Sequence, residues 1–137
     1  MGIRLDHIGI AVNELDAGSG FWKLLGLIQG EDERNDGQGV NIRFFETEQG
    51  TNGTRIELLA PTGPDTPIGR FIQKKGVGIQ QIAFRVDDLD SLMVRLLAAG
   101  VRLIDETPTE GAQGSRIIFV HPSSTGGVLV ELLEYED

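Results

Sequence analysis

Four polar residues stand in apolar runs at related places in the chain: His7, Glu57, Gln81 and Glu131. His7 lies among Ile3, Leu5, Ile8 and Ile10, Glu57 within Arg55-Ile56-Glu57-Leu58-Leu59, and Glu131 within Leu129-Val130-Glu131-Leu132-Leu133. A lone histidine in such a run is ordinarily a satisfied core side chain, and a lone glutamate ordinarily sits on a solvated strand edge. A carboxylate kept from water must instead be held by a charge or a metal. The spacing favours the metal, because His7 and Gln81 are 74 residues apart and so are Glu57 and Glu131. If a two-fold repeat brings equivalent positions around one axis, one imidazole, one amide oxygen and two carboxylates can converge on a divalent cation. That donor set suits Co²⁺, Zn²⁺, Ni²⁺, Mn²⁺ or Mg²⁺.

The same shift aligns more than the four residues. Leu5-Asp6-His7-Ile8-Gly9-Ile10-Ala11-Val12 falls on Ile79-Gln80-Gln81-Ile82-Ala83-Phe84-Arg85-Val86, Leu15-Asp16 on Leu89-Asp90, and Gly26 on Gly100, all without a gap. A duplicated module follows. Each copy reads as β-α-β-β-β, with strands near 3–12, 27–33, 40–46 and 54–60, then near 77–86, 101–105, 116–121 and 128–134. In the second copy Asp87-Asp88 offers an N-cap to Leu89, Leu92, Met93, Leu96 and Leu97, which recur at helical spacing before Gly100. The first helix carries Leu15, Trp22 and Leu25, but Gly18 and Gly20 weaken it. Between the copies, Thr66 as N-cap and Pro67 at the first helical position start a short helix bearing Arg70, Lys74 and Lys75. Those cations form either a solvated face or a patch for an anionic ligand. The organisation expected is one domain over 1–137, with module one at about 1–62, a linker at 63–76 and module two at about 77–137.

Composition narrows the function. The chain has 137 residues, 21 acids against 12 Lys+Arg, a net charge of −9 and no cysteine. An acidic chain without a basic stripe is not expected to bind nucleic acid. Without cysteine there is no thiol nucleophile and no thiolate metal site. Neither a signal-peptide pattern nor an apolar run of membrane-spanning length is visible, so a cytoplasmic protein without a membrane partner is expected. His121, before Pro122, lies outside the symmetric set and reads as a turn cap more readily than as a substrate contact. The loop Gly111-Ala112-Gln113-Gly114-Ser115-Arg116 could hold an anion but carries no nucleotide fingerprint.

With these residues in view, the chain resembles the vicinal-oxygen-chelate superfamily (glyoxalase, bleomycin resistance and extradiol dioxygenase proteins), and within it the methylmalonyl-CoA epimerases. The segments that carry the resemblance are Asp6–Val12, Glu57–Pro61, Ile82–Asp88, Ile117–Pro122 and Gly126–Leu132. It implies an α+β fold in which two tandem β-α-β-β-β modules form one cupped eight-stranded mixed sheet, often as a homodimer. It also implies metal ligands at His7, Glu57, Gln81 and Glu131, Glu131 as catalytic base, and an acyl-CoA as the small-molecule substrate. Two departures stand out. Gln81 replaces the histidine usual in epimerases, and Ile42 stands where some of them carry a catalytic glutamate. The alternatives are a glyoxalase I-type lactoylglutathione lyase, whose family includes forms with a glutamine ligand, and a non-catalytic drug-binding protein of the same fold. A ring-cleaving dioxygenase is disfavoured, because such iron sites use two histidines and one carboxylate.

Overall fold

The computed structural model describes residues 2–50 and 53–136. Backbone hydrogen bonds join eight strands in the order β2-β3-β4-β1-β5-β8-β7-β6, a mixed sheet with few helices, as the repeat and the resemblance led us to expect. Two compact units divide within β1 and β5, one comprising residues 7–80 and the other residues 2–6 with 81–136.

In the 7–80 unit, β1 (Ile3–Ala11) runs parallel to β4 (Arg55–Pro61), which pairs antiparallel with β3 (Val40–Glu46), itself antiparallel to β2 (Ile28–Asn35). Successive strand residues point to opposite faces. One face carries Ile10, Phe45, Ile56 and Leu58, which pack with Leu15, Trp22 and Leu27 from the helical segment beside them. That segment is two short helices rather than one, α1 (Leu15–Gly18) and α2 (Gly20–Leu25). The break agrees with the weak propensity of Gly18 and Gly20. Gly18 has a second role, since a Cβ there would meet Val12 Cγ1 at 2.7 Å, so only glycine lets α1 approach β1 this closely. Arg43 anchors the same side: its guanidinium holds Asp32 through two 2.8 Å bonds, Asp16 at 2.9 Å and Ser19 Oγ at 3.0 Å. Then α3 (Pro67–Lys75) starts where expected, with Thr66 Oγ1 accepting from the Gly69 N–H at 3.0 Å.

The other unit repeats the plan. Here β5 (Gly78–Val86) runs parallel to β8 (Val130–Glu134), and β8 pairs antiparallel with β7 (Arg116–Val120). One face, with Phe84, Val86, Ile118, Val120 and Leu132, packs with Leu89, Leu92, Met93 and Leu96 of α4 (Leu89–Ala98). Asp88 caps α4 by accepting from the Ser91 N–H at 3.0 Å. The expected strand at 101–105 does not form as a ladder. Leu103 makes a single antiparallel bridge to Val120, residues 104–107 bend away, and β6 is only Thr109–Glu110. Pro108 has no N–H to donate there. The hydrophobic pattern of 101–105 reflects packing under β7, to which Ile104 and Arg102 still bond through Phe119 O and the His121 N–H.

Candidate metal and acid–base site

α1 and α2 in one unit and α4 in the other pack on one sheet face, and the polar residues singled out in the sequence all lie on the opposite face of their strands. In β4, Glu57 pairs across the ladder with Gly9 of β1 and Phe44 of β3; in β8, Glu131 pairs with Ala83 of β5 and Phe119 of β7. Both glutamates thus hold the same place in the parallel ladder of their own unit. Neither is on a solvated edge: Glu57 is 2% exposed and Glu131 7%, with His7 at 4% and Gln81 at 7%.

Each unit joins its own pair. In the 7–80 unit, His7 Nδ1 lies 3.0 Å from Glu57 Oε2, and Arg55 Nη2 approaches the same oxygen at 3.5 Å. The Arg55 guanidinium stacks 4.8 Å over the Phe44 ring, so its charge is held beside the carboxylate by an aromatic face. Arg55 stands two residues before Glu57 and shares its strand face by alternation, as their ion pair requires. In the other unit, Gln81 Nε2 donates to Glu131 Oε1 at 3.3 Å. Burial without a partner would be costly for any of these groups, and each has one.

His7 and Glu57 have the donor chemistry and spacing that a divalent cation takes. Donors held at 2.0–2.2 Å by a tetrahedral or octahedral ion lie roughly 3.0 to 3.4 Å from one another. The 3.0 Å between His7 Nδ1 and Glu57 Oε2 is that of neighbouring ligands in such a shell as well as of a hydrogen bond, whereas Gln81 meets Glu131 through Nε2, the amide nitrogen that donates and does not ligate. Donor atoms of Asp6, His7 and Glu57 also lie within 4.8 Å of one another. Sequence reasoning did not single out Asp6, whose carboxylate accepts from the Tyr135 hydroxyl at 3.2–3.3 Å across 129 residues. No local pattern signals that bond, nor the Arg85 guanidinium 4.5 Å over the Tyr135 ring.

The residues set aside behave otherwise. His121 caps the turn at Pro122–Ser124, its Nδ1 accepting from the Ser123 N–H at 3.0 Å. The Gly-rich loop closes on itself through Ser115 Oγ to Ala112 O at 2.7 Å and the Gly111 N–H to Ser115 O at 2.9 Å. Arg116 is bound to Asp90 at 2.9 Å and approaches Glu134 at 3.6 Å, and its hydrogen bond holds the Asp90 carboxyl below the usual range. Ile42 is buried on β3, two residues before Phe44 and on the face of Glu57.

A family model for the glyoxalase/bleomycin resistance protein/dioxygenase superfamily matches residues 6–119. The chain belongs to that superfamily. It is 42% identical to the Bacillus subtilis protein YqjC over 132 residues, covering 96% of this chain and 91% of that one. Among solved structures, methylmalonyl-CoA epimerase from Mycobacterium tuberculosis superimposes with a TM-score of 0.90 at 42% identity, covering 97% of this chain and 88% of that one. A methylmalonyl-CoA epimerase in complex with methylmalonyl-CoA and NH4⁺ superimposes with a TM-score of 0.87 at 37% identity, covering 96% and 93%.

Proposed function

We propose that the protein is an epimerase that interconverts the two epimers of methylmalonyl-CoA, or of a closely related acyl-CoA, using a divalent cation held by His7, Glu57, Gln81 and Glu131. The relatives' activity and the His7–Glu57 donor spacing support this reading. The observation that carries it is Glu131, a buried carboxylate on the sheet face opposite α4, at the ladder position that Glu57 holds in the other unit and hydrogen-bonded by Gln81.

Epimerisation requires removal of the α-proton from one face of the thioester and return of a proton to the other. In this reading Glu131 takes the proton on a carboxylate oxygen. The Gln81 N–H holds that carboxylate in one orientation, shortening the search for a productive geometry. The cation supplies Lewis-acid stabilisation of the negative charge that develops on the thioester oxygen. Arg55 holds the Glu57 carboxylate in place. Ile42 offers no base, so the proton on the opposite face comes from Glu57 or from water.

The test is deuterium incorporation at the α-carbon of methylmalonyl-CoA in D2O, alongside interconversion of its epimers. Wild type should exchange, and Glu131→Gln should not. Turnover of a hemithioacetal without exchange would establish the lyase instead. Gln81 and Ile42 favour one further reading, a binding protein without turnover, which would show neither reaction and no metal after loading.

A further inference from the structure

Charge is segregated along this chain in a way the proposed site does not use. From Thr66 to Val86 there is no Asp or Glu, although the whole chain carries 21 acids against 12 Lys+Arg. Within that stretch α3 presents Arg70, Lys74 and Lys75, all exposed and none with an acidic partner among the described residues. Elsewhere four arginines are ion-paired, Arg34 with Asp36, Arg43 with Asp16 and Asp32, Arg55 with Glu57, and Arg116 with Asp90, while Arg102 is exposed like Arg70. The pull of the helix dipole on its last turn accounts for Lys74 and Lys75. It does not account for Arg70, which lies four residues before Lys74, where like charges on one helix face repel.

The helix is also firmly seated. Thr66 Oγ1 donates to Gly63 O at 2.7 Å as well as capping Gly69, and Ile68 is buried. A Cβ on Gly69 would meet Gly63 O at 2.6 Å, so glycine is needed for α3 to lie this close to the 63–64 turn. Arg70 and Lys74 thus share one face of a seated helix with Lys75 beside them, a local excess of positive charge that a polyanion complements.

We infer that Arg70, Lys74 and Lys75 of α3 form a binding pad for the phosphates of the nucleotide end of an acyl-CoA thioester. The inference rests on the acyl-CoA reading above for the identity of its ligand. Single phosphates would bind weakly to exposed side chains. The 3′-phosphate and the 5′-diphosphate on one adenosine engage several cations together, and exposed ammonium and guanidinium groups serve this purpose without a buried cradle.

The test uses the full chain and Arg70→Gln/Lys74→Gln/Lys75→Gln, with Lys23→Gln as an exposed control. Titration with adenosine 3′,5′-bisphosphate carrying a second 5′-phosphate, and with coenzyme A, should show affinity reduced about ten-fold in the triple variant, with a shallower salt dependence, and unchanged in the control. With methylmalonyl-CoA the KM should rise while kcat holds, and a thioester truncated to its pantetheine arm should be used equally by both proteins. Wild-type affinity in the triple variant, or no nucleotide binding by wild type, overturns the inference. Its failure is separable from that of the epimerase reading: exchange of the truncated thioester without a role for the pad removes only the pad, and nucleotide binding to the pad without exchange removes only the epimerase.

Discussion

Gln81 donates its side-chain amide to Glu131 over 3.3 Å, so the carboxylate in the second unit is oriented by a neutral group where its counterpart Glu57 has a guanidinium and an imidazole. The two units have kept the same ladder position for a glutamate and set a different side chain, His7 or Gln81, against it.

Replacing Gln81 by histidine should therefore act on the metal before the base. An imidazole is a better donor than an amide oxygen to the later transition metals, so Gln81→His should tighten Co²⁺, Ni²⁺ or Zn²⁺ binding on the order of ten-fold and leave Mg²⁺ little changed. Calorimetric titration of the metal-stripped protein measures this. Glu131→Gln should lower α-proton exchange by roughly a hundred- to ten-thousand-fold, the usual contribution of a positioned base. An unchanged metal profile in Gln81→His would remove Gln81 from the ligand set.

The repeat that carries this design was legible because one shift preserves strand alternation: His7 with Gln81 and Glu57 with Glu131 share a face only if both copies keep the same register, and each ladder does so within its own unit. The starts of α3 and α4 were legible for a similarly local reason, since Thr66 and Asp88 satisfy N–H groups three residues away. Contacts between distant segments were not. Arg43 lies in a run, Val40–Glu46, that alternation alone would leave half exposed, yet it is buried by reaching Asp16 and Asp32. The stretch 101–105 shows the converse failure, where an apolar pattern predicted a strand and the bend before Pro108 reduced it to one bridge. That His7, Glu57, Gln81 and Glu131 act on one cation is an expectation from the repeat, and the metal titration above is its test.

Arg55 offers a stability test of the same site. Glu57 and Arg55 are 2% and 4% exposed, so Arg55→Met leaves a buried carboxylate with one cationic partner fewer and also removes the stack on Phe44. Breaking a buried pair from one side costs about 3 kcal/mol or more, while removing both charges costs far less. Urea unfolding should show Arg55→Met strongly destabilised and Arg55→Met/Glu57→Gln partly restored. Saturating divalent cation should narrow the single variant's deficit, because a bound ion compensates the same carboxylate. A double variant as weak as the single one would mean that Arg55 acts through packing alone.

The Asp32–Arg43 pair sets a pH dependence of definite sign. Hydrogen bonds from Arg43, reinforced by its charge, hold the Asp32 carboxyl below its ordinary value of 3.8 against a smaller opposing effect of burial. A carboxyl whose folded value lies below its unfolded one stabilises the fold fully above 3.8, and that contribution disappears as pH falls through the folded value. Arg43 remains charged throughout, its own value being raised by Asp32 and Asp16. Because the Asp32 side chain is 43% exposed, solvent screening limits the contribution, and about 0.5 to 1 kcal/mol is expected. Asp32→Asn should therefore be less stable than wild type by that amount at pH 7 and at pH 5. The gap should close below pH 3.8, measured by urea unfolding at each pH. A gap that persists unchanged at the acid end would assign the loss to the geometry of the Arg43 network rather than to its charge.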